Sequence, residues 1–167
     1  MQRSYCFIIA IMVFLLSFSQ SQNSEKANIN KMLDSWHKAA ADADFNAYFD
    51  KMTKDGVFIG TDATENWQNE EFRAFSKPYF DRGQAWSFTA VERNIYLSES
   101  GEVAWFDELL STQMRLCRGS GVLKKIGREW KIAHYVLSIA IPNENVTEVV
   151  ALKKEKDSIL ELKLRKN

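Results

Sequence analysis

The sequence predicts an α+β domain in which N-terminal helices pack against a curved, mainly antiparallel sheet. Two observations carry this. Apolar residues recur at three- and four-residue steps in three segments before position 82. From Trp86 on, long runs rich in aromatic and β-branched residues follow one another across short polar turns. Helices followed by consecutive strands give segregated layers, not alternating βαβ units. The 167 residues suit a single domain, and 22 basic against 22 acidic residues argue against an electrostatic nucleic-acid binder.

The elements follow in order. Arg3 is the only charge before Glu25, and Tyr5 to Leu16 is an uncharged, mostly apolar run. That run is too short for a membrane span, and Ser19 and Ser21 place small residues before a cleavage point. Residues 1–21 therefore read as a cleaved secretory signal, with an uncleaved anchor as the alternative. The domain would be secreted or periplasmic, with no membrane contact after cleavage. The domain itself spans 22–143, and 144–167 is a charged helical tail.

A helix is expected over 24–41, with Ile29, Met32, Leu33, Trp36 and Ala40 inward. Asp42–Asp44 breaks it. A short helix carries Phe45, Tyr48, Phe49 and Met52, and Lys54-Asp55-Gly56 turns the chain. Val57-Phe58-Ile59 is a short strand, and 61–67 a loop. Asn69 is the expected cap of a third helix bearing Phe72, Phe75, Tyr79 and Phe80, with a kink or a new turn expected at Pro78. Four strands follow, the last being REWKIAHYVLSIAI, which Pro142 ends. Strands this long favour a sheet that bends around a cavity.

No strong catalytic signature is present: there is no nucleotide-binding glycine loop and no GxSxG. There is no CxxC or Cys/His cluster, so neither a metal nor a cofactor is expected. Cys117, the one cysteine left after cleavage, reads as a small hydrophobe. The candidates are isolated polar residues on apolar strands. In the last strand, alternation puts Trp130, Ile132, His134, Val136 and Ser138 on one face. His134 is the best acid or base there, because an imidazole titrates near neutrality; the plain alternative is a hydrogen-bonded core histidine. Asp107 and Glu108 interrupt AWFDELL, and only one can face inward. Asp107, which shares a face with Trp105, is taken as the second catalytic candidate; a rim carboxylate paired with Arg115 or Arg118 is the alternative. Arg118, in mid-strand, would bind a ligand carboxylate or pair with Asp107 or Glu108. Asp62, Glu65 and Trp67 form a loop group near the expected cavity mouth. Trp67, Tyr79 and Trp86 read as core or pocket wall. Asp62, Trp67, Tyr79, Trp86, Trp105, Arg118 and Trp130 make up the expected ligand-binding set.

The stretch RGSGVLKKIGREWKIAHYVLSIAIPN resembles the SnoaL-like branch of the nuclear transport factor 2-like, or ketosteroid isomerase-like, superfamily. The resemblance rests on Trp130-Lys131-Ile132-Ala133-His134, on GVFIGTDATENW and AWFDE upstream, and on the order of elements. It covers about residues 25–143. It implies a cone-shaped fold whose bent sheet wraps the helices around an apolar pocket. It also implies a homodimer, since members often pair through the outer sheet face. The expected function is an exported domain that binds a small, largely apolar ligand in the cone. The alternatives are an isomerase-, cyclase- or dehydratase-type enzyme using His134 and a carboxylate, or a non-catalytic interaction module.

Overall fold

A computed structural model describes the backbone of residues 2–166 and the side chains of Gln20 and residues 22–166. Of the signal expected over 1–21, Met1 and every side chain but that of Gln20 lie outside the description. Helix α1 runs over Gln2–Ala41, longer than the 24–41 expected, because no Gly or Pro interrupts that stretch. Among the described residues no helix is long and apolar enough to cross a membrane. The inward stripe is as expected: Ile29, Leu33, Trp36 and Ala40 are buried. Helix α2, Phe45–Asp50, starts where Asp44 Oδ1 accepts the Ala47 N–H at 2.9 Å.

Six strands form one mixed sheet: β1 Met52–Ile59, β2 Asn66–Gln68, β3 Phe88–Leu97, β4 Val103–Thr112, β5 Arg115–Ile126 and β6 Glu129–Ile139. Their spatial order is β2-β1-β6-β5-β4-β3. The last four pair as an antiparallel meander, as expected, and β1 lies parallel to β6. Two details differ from expectation. Lys54-Asp55-Gly56 does not turn the chain but forms an irregular bulge inside β1, between the pairs Met52–Ile132 and Val57–His134. The loop at 61–67 ends in strand β2, where Trp67 faces Phe58 across the ladder.

Helix α3, Asn69–Asp81, continues through Pro78. Its buried stripe of Phe72, Ser76 and Phe80 holds it against the sheet and α2, which outweighs the one lost backbone bond. Asn69 does not cap it. The Gln68 N–H is taken by Glu71 Oε2 at 3.0 Å, and Asn69 is buried with its amide donating to Thr53 O at 2.8 Å. The core lies between α1–α3 and the concave sheet face, dominated by Trp36, Tyr48, Phe49, Phe72, Phe106 and Tyr135. Beyond a short 3₁₀ turn at Asn143–Asn145, helix α4, Val146–Leu164, has no buried residue.

Candidate functional site

Two bulges decide which side chains enter the concave face. On β6, Ile132 opposes Leu123 but His134 opposes Val122, so Ala133 is an extra residue. Past it, the parity of the strand reverses. Trp130 and Ile132 point inward, as alternation predicts, but Tyr135 and Leu137 then join them, and both are buried. On β3, Ala90 opposes Leu110 and Glu92 opposes Leu109, so Val91 is extra. Simple alternation would have turned Glu92 toward the buried Glu108. The bulge replaces it with Arg93, directly opposite Glu108.

Glu108 is fully buried, and its carboxylate is surrounded. Oε1 accepts the Tyr135 hydroxyl at 2.9 Å and lies 2.9 Å from His37 Nε2; Oε2 accepts Arg93 Nε at 2.8 Å. Arg93 Nη1 in turn donates to Asp34 Oδ1 at 2.7 Å, tying the cluster to α1. Burial alone would push the Glu108 pKa up; the His37 and Arg93 donors outweigh it and hold the carboxyl below its ordinary range. Burial, reinforced by the Glu108 anion, holds the Tyr135 phenol well above its usual value. Glycines on β5 make the room. A Cβ at Gly119 would collide with the Tyr135 hydroxyl, and one at Gly121 would lie 2.6 Å from His134 O.

The same parity carries four expected site residues to the convex outer face. His134 sits opposite Val122, which sits opposite Trp105, so these three share that face. Asp107 lies there too, since Glu108 takes the inner position, and it accepts the Asn94 amide at 3.1 Å. Arg118 is exposed, across from Leu109 and Ser138, and pairs with neither Asp107 nor Glu108. Trp105 stacks on Tyr96, centroids 5.8 Å apart and planes 15° apart. Trp130 is buried at the opposite end from the cavity described next, its Nε1 donating to Glu25 Oε2 at 2.7 Å. Asp62 is exposed and closes a turn by accepting Thr64 N and Oγ1, which lowers its pKa. The expected catalytic pair, Trp105 and Arg118 therefore lie on the outer face, Asp62 is in an exposed turn, and Trp130 is in the core away from the cavity described next.

The other three, Trp67, Tyr79 and Trp86, do come together. They line a cavity of about 360 Å³ with Phe58, Phe72 and Phe75. Phe58 stacks on Phe72 at 4.1 Å and Trp67 on Phe75 at 4.4 Å. Glu65 stands in the lining, its Oε2 accepting the Asp62 N–H at 3.1 Å. Gly60 admits that carboxylate, which a Cβ there would strike. Gln113, Met114 and Leu137 complete the sheet side. Another cleft, of about 400 Å³ beside Trp130, is rimmed by Lys31, Lys51, Arg128 and Lys131 and offers no comparable ring wall.

Sequence reasoning missed Glu108's partners. His37 carried a usable signal, lying one turn from Leu33 on the buried stripe of α1. Tyr135 and Arg93 carried none, because each reaches the concave face only through a bulge. Among the described residues no group of three or more His, Cys, Asp or Glu side chains could hold a metal ion.

With this geometry in view, comparison with known proteins finds the following. The SnoaL-like domain family matches residues 29–142. An NTF2-like protein of unknown function from Pseudomonas putida superposes with a TM-score of 0.62 at 14% identity, over 74% of this chain and 92% of that one. An NTF2-like protein from Cytophaga hutchinsonii gives 0.58 at 14% identity, over 69% and 98%. The association domain of C. elegans CaMKII gives 0.59 at 20% identity, over 71% and 98%. At these identities the likeness is one of fold. Comparison with curated proteins yields no match.

Proposed function

We propose that this chain, which belongs to the SnoaL-like domain family, is an exported domain that binds a small, largely apolar molecule between α3 and the sheet. The observation that supports this most is the ring-lined cavity of about 360 Å³. Its volume falls in the usual ligand-site range of roughly 300–1,000 Å³, and mostly apolar walls with few polar groups are what such sites share. Binding is favoured over acid–base chemistry by the state of the buried carboxylate. Both Glu108 oxygens are already engaged, and the cavity lining does not include Glu108 or His37. A general base must reach its proton, and this one is enclosed.

Export rests on the leader read from residues 1–21. A homodimer is supported by the outer sheet face, where Tyr96, Val103, Trp105 and Leu116 are exposed.

Native mass spectrometry of the protein purified from its own host tests the binding reading. A small-molecule adduct released on gentle denaturation, and lost in Trp67→Ala, is the expected result. An adduct-free protein that also takes up no apolar ring probe would sink it. His134→Ala, on the outer face, should leave uptake unchanged.

A further inference from the structure

The aromatic cavity has one charged side chain in its lining, the half-buried Glu65, and one of its two oxygens is free. Oε2 closes the turn by accepting the Asp62 N–H at 3.1 Å. Among the described residues Oε1 has no hydrogen-bond or ion-pair partner, and it is not sealed from solvent. Closing the turn needs one acceptor oxygen, which Gln would supply as well, so the turn alone does not call for a carboxylate.

The cavity has a floor and a mouth. Phe58 and Phe72 are 5% and 1% exposed, whereas Phe75 and Tyr79 are 39% and 38% exposed. Trp67, half-buried, joins the two, with its ring 5.6 Å from Phe72 and 4.4 Å from Phe75. Glu65 lies two residues before Trp67 and belongs with the mouth.

The charges around that mouth decide the sign of the ligand. Among the described residues no Lys, Arg or His belongs to the lining, and its other polar side chains, Thr61 and Gln113, are uncharged. A purely apolar ligand closing over Glu65 would strip water from the free oxygen and put nothing in its place. An anion would add repulsion between like charges. A cation replaces the lost water with an ion pair, and aromatic rings attract it as well. Tyr79 already shows that attraction, with the Arg82 guanidinium 4.9 Å from its ring centroid. Arg82, and Lys156, whose charge acts on Asp62, are exposed and outside the lining, where salt screens them. At a mouth the ligand's charge also keeps part of its hydration, which avoids the cost of full burial.

Resting on the cavity being the ligand site, we infer that its ligand is an organic cation, an ammonium group on an apolar body. Glu65 and the rings of Trp67, Phe75 and Tyr79 receive the charge at the mouth, and the body lies on Phe58 and Phe72. Glu65 is then the specificity-determining residue.

Titration of the full mature protein with three probes of nearly equal size tests this, followed by tryptophan fluorescence. The probes are benzyltrimethylammonium, its uncharged isostere neopentylbenzene, and 3-phenylpropanoate. The cation should bind about fivefold more tightly than the hydrocarbon, the joint worth of one cation–π contact and one half-exposed ion pair, and the carboxylate most weakly. Glu65→Gln keeps an acceptor for the Asp62 N–H. It should bring the cation to within about twofold of the hydrocarbon and leave hydrocarbon affinity unchanged. In the wild type, raising salt from about 20 mM to about 500 mM should narrow the same preference. A hydrocarbon that binds as tightly as the cation would overturn the inference and leave the cavity reading standing. So would a preference that survives Glu65→Gln, or tightest binding of the carboxylate. If Glu65→Gln loses the hydrocarbon too, the wild-type salt series decides, and a preference indifferent to salt overturns the inference. Failure of all three probes to bind would remove the cavity reading together with it.

Discussion

Glu108 carries a negative charge where its own strand, its neighbours and α1 exclude water. Such a charge is tolerated only while every lone pair has a donor, and removing one member of a buried pair strands the other. Glu108→Gln leaves Arg93, whose side chain is 5% exposed, without its central counter-charge. We expect a loss of about 3 kcal/mol, read from urea unfolding at neutral pH. The pH dependence has a definite sign. The Glu108 pKa is lower folded than unfolded, so its contribution is present above the unfolded value, near 4.5, and fades as pH falls through the folded one. Wild type should therefore lose stability below about pH 4.5 more steeply than Glu108→Gln. A parallel acid limb in both proteins would contradict this. At this scale the sequence was half legible. That only one of Asp107 and Glu108 could point inward followed from strand parity; which one did depends on pairing across β3 and β5. His134 was misplaced because parity was carried past Ala133, where an extra residue resets it.

The four-strand meander and all three helices of the domain were legible, because apolar period and turn chemistry are local signals. The bulges, β2 and the parallel pairing of β1 were not: a bulge or a three-residue strand leaves no period to read, and β1 pairs with the last strand of the sheet, far away in sequence. Gly121 shows how tightly the elements meet. Its missing Cβ would lie 2.6 Å from His134 O and 2.7 Å from the Phe106 ring. The backbone oxygen cannot swing aside, so Gly121→Ala should destabilise by about 2 kcal/mol, seen as a lower urea midpoint with an unchanged slope. Helix α4 is the opposite case, with no buried residue. Removing residues 145–167 should leave the thermal midpoint within about 2 °C, because surface segments without buried contacts add little to the core. A drop of 10 °C would mean that the tail packs on the domain after all.

On the scale of the molecule, the sheet divides two tasks. Its concave side holds the core and the aromatic cavity, and its convex side displays the Tyr96–Trp105 stack among exposed apolar residues. If that face joins two copies, Trp105→Glu should shift sedimentation from dimer to monomer while the circular dichroism spectrum stays the same. Monomeric wild type at micromolar concentration would dismiss the pairing. The placement of β1 has a further consequence, in time rather than space. The strand that follows the first two helices finds its parallel neighbour only in the last strand of the sheet, Val57 beside His134 and Ile59 beside Val136. Contacts that span so much sequence form late, after the loop between them has closed. As the chain emerges from the ribosome, β1 has only the short β2 to pair with, and α1, α2 and β1 must wait for the rest of the sheet until β6 has been made. Folding is thus committed at the end of synthesis, and the meander of β3 to β6, whose pairings are all sequential, is the natural template on which the earlier segments settle.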